Sequence, residues 1–264
     1  MKLFQFFCCA FTLIVSLNVR SIVVRHDVDA NRYVMKQTPS FLVDMPNGGH
    51  GALIASNWVV TVAHLLPPDF VGQKIHIGTH QIEVEKVIKH PGITEIPENI
   101  LSGDASDLMT FLIDSHDIAL IKLRSKLPDS APIAIYVGNQ ELGQIVEGYG
   151  KGTTGNGNTG SISGTQGVLR RLQNRIEETH NHWLSITFDR SENALELEGI
   201  DGSWDSGGPL VLKSNGKKYL VGLFCWDYIK GNLEDFKAGY YGRKSYQVRL
   251  SSYNEWIKQS IAEN

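Results

Sequence analysis

Through most of the chain, apolar and polar residues alternate with the two-residue period of a half-buried strand. Lys74-Ile75-His76-Ile77-Gly78 and Gln81-Ile82-Glu83-Val84-Glu85-Lys86-Val87-Ile88 read as the two arms of a hairpin. Gly143-Gln144-Ile145-Val146-Glu147-Gly148-Tyr149 and Lys218-Tyr219-Leu220-Val221-Gly222-Leu223-Phe224 carry the same pattern. Many short strands over this length predict an all-β sandwich or barrel. Ser251 to Ala262 is the one segment that predicts a helix. Residues 91–115, with Pro91, Gly92, Pro97 and Gly103, predict a long loop. Residues 151–167, with glycines at 152, 155, 157, 160, 164 and 167, predict a flexible surface loop.

The N-terminus breaks the pattern. Lys2 is followed by an apolar run from Leu3 to Leu17 that is too short to span a bilayer comfortably. A basic start and a short apolar core predict a signal peptide over residues 1–21, with the mature domain at 22–264. An uncleaved anchor is the alternative. The expected location is secreted or periplasmic, with no membrane contact after cleavage. Cys8 and Cys9 fall in the removed segment, which leaves Cys225 alone. A single cysteine forms no intramolecular bridge, so packing must hold the domain together. A chain 42% hydrophobic and 20% charged is neither disordered nor collagen-like. Its formal net charge of −3 gives no reason to expect nucleic acid as a partner. No cofactor or metal is implied: His180 and His182 share a spacing compatible with two ligands, but without a third they read as exposed loop histidines.

Three segments carry candidate chemistry. Thr61-Val62-Ala63-His64 follows the strand-like run from Gly51 to Val60. Asp117 opens the apolar run Ile118 to Leu123. Ser206 sits between Asp205 and the pair Gly207-Gly208, on a tight turn where backbone N–H groups can point at a substrate oxygen. Peptide hydrolysis needs a nucleophile, a base that activates it, and donors for the oxygen that becomes negative. Each segment alone has a plainer reading: a packed histidine, a turn aspartate, a helix-capping serine.

In the order His, Asp, Ser, the three segments together resemble the chymotrypsin/trypsin-like serine proteases. They are similar to that family's Gly-Gly-x-Leu-Ile…Trp-Val-x-Thr-Ala-Ala-His, Asp-Ile-Ala-Leu-x-x-Leu and Gly-Asp-Ser-Gly-Gly-Pro signatures. Gly148-Tyr149-Gly150 resembles the Gly-Trp-Gly ahead of the family's autolysis loop, and Leu220 to Trp226 resembles its substrate-pairing strand. Trp256 falls where the family has a tryptophan in its C-terminal helix. The resemblance implies two packed six-stranded antiparallel β-barrels, about 22–130 and about 131–250, with the active site between them and a C-terminal helix at 251–262. The family's paired cysteines beside the histidine and before the glycine pair read here as Leu65 and Gly49, consistent with a bacterial-type branch lacking disulfides.

The same resemblance assigns roles. His64, Asp117 and Ser206 form the catalytic triad, and the N–H groups of Trp204 and Ser206 form the oxyanion hole. The family has glycine at the Trp204 position, so this is a departure. Asp205 pairs with the amino group of Ile22 once the chain is cut before it, either by signal peptidase directly or by a later protease. A plain edge strand is the alternative reading of Ile22-Val23-Val24. Ile200 lies at the base of the primary pocket, where trypsins have aspartate. Asp201 and Ser245 line it, and Cys225, Trp226 and Asp227 border it. Two carboxylates near an apolar base either admit a lysine or arginine side chain, which is the expectation, or point to solvent. The expected function is a monomeric, exported serine endopeptidase acting on peptide or protein through an acyl-enzyme. The alternative is a catalytically weak homologue that binds proteins through the same cleft.

Overall fold

The computed structural model describes residues 22–128, 130–190 and 192–264; the expected signal peptide lies outside them. The strands of the first half are β1 (Ile22–Val24), β2 (Leu42–Asp44), β3 (His50–Ala55), β4 (Trp58–Thr61), β5 (Lys74–Ile77), β6 (His80–Lys89) and β7 (Ala119–Leu123). Those of the second half are β8 (Ala134–Ile135), β9 (Ile145–Gly150), β10 (Thr154–Asn156), β11 (Gly160–Ile162), β12 (Arg170–Arg175), β13 (Glu178–His180), β14 (Trp183–Thr187), β15 (Gly199–Ile200), β16 (Pro209–Ser214), β17 (Lys217–Asp227) and β18 (Lys244–Arg249).

The first half closes into a six-stranded barrel in the order β2-β3-β4-β7-β6-β5. The predicted hairpin is its β5–β6 pair, with Ile75 opposite Ile82. Leu53, Val59, Val60, Ile75, Val84, Leu120 and Ile121, from both faces of the barrel's strands, are fully buried in one hydrophobic core. Each such side chain contributes about 1.5–3 kcal/mol by leaving water, which lets packing replace a covalent staple. The second half is an eight-stranded sheet, β12-β9-β16-β17-β18-β14-β13 with β8 beside β17, curled into a half-barrel. The expected pair of barrels is thus one closed barrel and one open one, followed by a C-terminal helix.

Four segments differ from the sequence expectation. β1 stands at the head of the span assigned to the first barrel, yet pairs with β10 and β15 of the second half. The glycine-rich 151–167 segment is not a uniform loop: β10 and β11 pair as a hairpin because β1 supplies their third strand. Within the 91–115 loop lies a helix, α1 (Ser106–Asp114), whose first turn is held by the Asp104 carboxylate accepting from Ser106 N–H at 2.9 Å. The prolines and glycines that suggested a loop all precede it. The C-terminal helix begins later than expected: a 3₁₀ turn covers Leu250–Tyr253, and α2 runs from Asn254 to Ala262.

Candidate active site

His64 lies on a single 3₁₀ turn (Ala63–Leu65) at the end of β4, and Asp117 precedes β7, the strand paired with β4. The ladder therefore brings these two residues together. The Asp117 carboxylate accepts twice from His64, from ring Nδ1 at 2.6 Å and from the backbone N–H at 2.9 Å. This fixes the ring with Nδ1 as donor and leaves Nε2 available to accept a proton. Burial works against the Asp117 charge, but the His64 hydrogen bonds and the Cys225 thiol outweigh it and hold the carboxyl below its usual range. Cys225 donates to the same carboxylate at 3.3 Å, and burial pushes its thiol well up, so it remains a neutral donor. The donor atoms of His64, Asp117 and Cys225 lie within 4.8 Å of one another. They are satisfied by these mutual bonds, so the cluster reads as a proton-handling group and not as a metal cradle.

The Ser206 turn is tied to both halves of the molecule. Its carbonyl accepts from His50 N–H on β3 at 2.8 Å. Gly207 N–H donates to Phe224 carbonyl at 2.8 Å, immediately before Cys225. Only glycine fits at position 207: its φ is +74°, and a Cβ would stand 2.0 Å from His50 carbonyl oxygen. Among the described residues, the N–H groups of Ser206 and Trp204 have no hydrogen-bond partner. Two free donors beside a serine are what an oxyanion site requires.

Trp204 keeps a glycine-like backbone, with φ of +74°. Its indole is 52% exposed and lies over Gly48, where a Cβ would meet the ring at 2.3 Å. With Met45, Gly49 and Lys151 it lines a cavity of about 310 Å³. Leu65 packs over Gly49, with Cδ1 2.6 Å from where a Cβ would stand, so a methyl group fills the place that the family's cystine would take. Cys225 is free, and no disulfide occurs among the described residues.

Below this turn, Asp205 is fully buried and accepts from the N–H groups of Gly152 at 2.7 Å and Gly202 at 2.9 Å, and from that of Ile22. Burial raises its carboxyl, while His50 and these three donors oppose the rise. The structure thus brings the backbone N–H of Ile22 to the Asp205 carboxylate. Ile22 has φ of +59°, a region that costs a β-branched residue about 1–3 kcal/mol.

His50, Asp44 and Lys151 were missed from the sequence. His50 Nε2 lies 3.9 Å from Asp205 and accepts from Lys151 N–H at 2.9 Å, while Nδ1 faces Asp44 at 3.3 Å. Lys151 Nζ bonds Asp44 at 2.6 Å. The signal was present: His50 occupies the first glycine of the Gly-Gly-x-Leu-Ile signature. His182 was misjudged as exposed. It is half-buried and stacks on His116 at 4.3 Å, which stacks on His90 at 4.5 Å, directly behind Asp117.

The pocket residues also converge. Ile200 is fully buried and pairs with Val23. Ser245 donates to Asp201 at 2.6 Å and is the register partner of Asp227. Burial, and then the charge of Asp227, raise the Asp201 carboxyl well above its ordinary value. Burial pushes Asp227 up to about 7 against the pull of Arg243.

A family model described as Trypsin matches residues 31–257. The chain belongs to the trypsin family. It is 26% identical over 236 residues to chymotrypsin-like elastase family member 1 of Macaca fascicularis, covering 81% of this chain and 79% of that protein. It is 29% identical over 216 residues to coagulation factor IX of Cavia porcellus, covering 78% and 70%. The fold is similar to that of neuropsin, a serine protease expressed in the limbic system of mouse brain, with a TM-score of 0.60 at 20% identity over 84% of this chain and 94% of that one. The trypsin-family chain is a serine-type endopeptidase. These relatives are mammalian, and none of them supports the bacterial-type branch expected from the missing cystines.

Proposed function

We propose that this protein is an exported serine endopeptidase in which His64, Asp117 and Ser206 carry the chemistry. The supporting observation is the doubly bonded Asp117–His64 pair beside a serine turn with two unpaired N–H groups. His64 Nε2 takes the Ser206 hydroxyl proton as Oγ attacks the peptide carbonyl carbon, whose oxygen becomes negative between Trp204 and Ser206 N–H groups. The C–N bond then breaks, and the same proton passes to the leaving amine. Water, deprotonated by His64, hydrolyses the acyl-enzyme and restores Ser206. A fluorophosphonate probe should label Ser206 and no other residue, read by peptide mass mapping. An unlabelled Ser206 would favour the protein-binding alternative, for which the exposed Trp204 is the supporting feature.

Because Trp204 holds the backbone shape of glycine, the donor is retained, and the indole acts on the leaving-group side of the cleft. Trp204→Gly should therefore preserve or raise turnover on short peptides. A loss of more than about tenfold in kcat, near 1.4 kcal/mol of barrier, would show that the indole itself supports the reaction.

Asp201 and Asp227 together favour a lysine or arginine side chain before the scissile bond. Burial pushes Asp227 up to about 7, so it becomes charged only above that value, while Asp201, raised well above its ordinary value by burial and then by that charge, keeps its proton beside it. The folded pKa of Asp227 exceeds the ordinary carboxylate value, so its contribution to stability is present at low pH and is lost as pH rises through about 7. A bound cation reverses that loss. KM for a cationic substrate should fall about tenfold between pH values one unit either side of this pKa, while KM for a neutral analogue should not. Asp227→Asn should flatten the cationic profile; a profile unchanged by that substitution would remove the pair from the specificity pocket.

A further inference from the structure

α1 joins the two halves of the molecule beside the cavity that holds His64 and Asp117. At its C-terminal end, Phe111, Leu112 and Ser115 line a cavity of about 370 Å³ with His64, Asp117 and the segment Ile93-Thr94-Glu95-Ile96. Along its inner face, Ala105, Leu108 and Met109 are buried in one cluster with Trp226, Ile229 and Leu233. Its N-terminal approach is bonded across the gap: Ala105 N–H donates to Gly231 carbonyl at 2.9 Å, and Leu233 N–H to Gly103 carbonyl at 2.8 Å. Gly103 N–H reaches the Glu234 carboxylate at 2.9 Å. These contacts run past the end of β17, the edge along which the acyl part of a substrate would lie.

An antiparallel partner matches that edge residue for residue, and alternate N–H groups face the same side. Tyr228 N–H faces inward, bonding Lys244 carbonyl at 2.8 Å. The N–H groups of Asp227 and Ile229 therefore face outward, toward a substrate strand. At Ile229 the outward donor is already taken, by Met109 Sδ at 3.2 Å. A substrate running away from Ser206 can thus pair opposite Cys225, Trp226 and Asp227; its fourth residue lies opposite Tyr228, whose N–H is turned inward, and its fifth opposite Ile229, whose N–H is taken by Met109.

Resting on the proposed peptide-hydrolysis cleft, the geometry points to acyl-side recognition that ends at the third residue before the scissile bond. Met109, Leu108 and the 103–105/231–234 crosslink are the specificity-determining elements. Preferred substrates are peptides cut close to a free N-terminus, or chains that bend away from the enzyme at the fourth residue. An extended strand longer than this gains nothing from its additional residues.

The test is a set of peptides with one leaving group and two to six residues before the cleaved bond. Their kcat/KM should climb through the third residue and then change by less than about twofold, because added residues make no contact in the transition state. Met109→Ala combined with Glu234→Ala should open the crosslink and free the Ile229 N–H, so that the fifth residue then raises kcat/KM by about fivefold. Binding of the same peptides to the Ser206→Ala protein, measured by calorimetry, reads the same surface without turnover. A plateau in affinity at the third residue, together with no hydrolysis of any of these peptides by the wild-type protein, would sink the catalytic reading and leave this one standing. Affinity or kcat/KM that keeps rising through the fourth and fifth residues would overturn it.

Discussion

Ser206→Ala is expected to abolish peptide hydrolysis while leaving the fold intact. The side chain removed is one hydroxyl, and the hydrogen bonds that hold the turn run through the backbone: Ser206 carbonyl to His50 N–H at 2.8 Å and Gly207 N–H to Phe224 carbonyl at 2.8 Å. Nothing in the core loses a partner, so thermal unfolding should shift little. Loss of a triad member costs roughly 10⁴–10⁶ in turnover, since the remaining donors stabilise an oxyanion that no longer forms by serine attack. Paired unfolding and single-turnover measurements on the wild-type and alanine proteins test both halves of this expectation. Wild-type turnover in the alanine protein would place the reaction elsewhere.

A chain beginning at Ile22 is expected to be far more active than one with a single methionine ahead of it. Asp205 is fully buried, and what faces it from Ile22 is one N–H. Cutting the chain before Ile22 converts that amide into an ammonium at the same place, and it removes the strained φ of +59°, which is defined only while a residue precedes. A neutral amide in place of the charge leaves the carboxylate short of a partner, at a cost of about 3–5 kcal/mol, enough to disorder the loop carrying Trp204 and Ser206. Partnership with a carboxylate raises the amine's folded pKa above its unfolded value near ~8. The stabilisation is complete below the unfolded value and is lost as pH rises through the folded one, so activity should decline on the alkaline side. Active-site titration of the two chains, with mass spectrometry confirming each N-terminus, tests this. Equal titres would mean that Gly152, Gly202 and His50 hold Asp205 without the ammonium.

What could be read from the chain was what is local in it. The alternation of Lys74 to Ile88 encodes a hairpin because side chains two apart share a face, whatever the rest of the molecule does. Ser206 between Asp205 and Gly207 was legible because the turn needs a residue without a Cβ, and Gly207 shows why: His50 carbonyl fills the space a Cβ would need. The order of His64, Asp117 and Ser206 identified a family, and with it a fold that composition alone leaves as sandwich or barrel.

Long-range contacts decided the remainder. β10 and β11 are strands because β1, more than a hundred residues away, pairs with β10 and extends their hairpin into a sheet; their glycine-rich sequence by itself favours a loop. α1 gains its stability from Trp226 at the end of β17 and from Ile229 and Leu233 just beyond it, and nine residues in isolation fall short of what a helix needs in water. His50 became part of the Asp205 environment only when β3 was laid beside the Ser206 turn, and His182, just ahead of β14, became a half-buried partner of Ser115 and His116 only through the fold. Local sequence determined which residues could do the chemistry. Tertiary structure decided what surrounds them, because burial and charge at a site are set by whichever strands the fold brings alongside it.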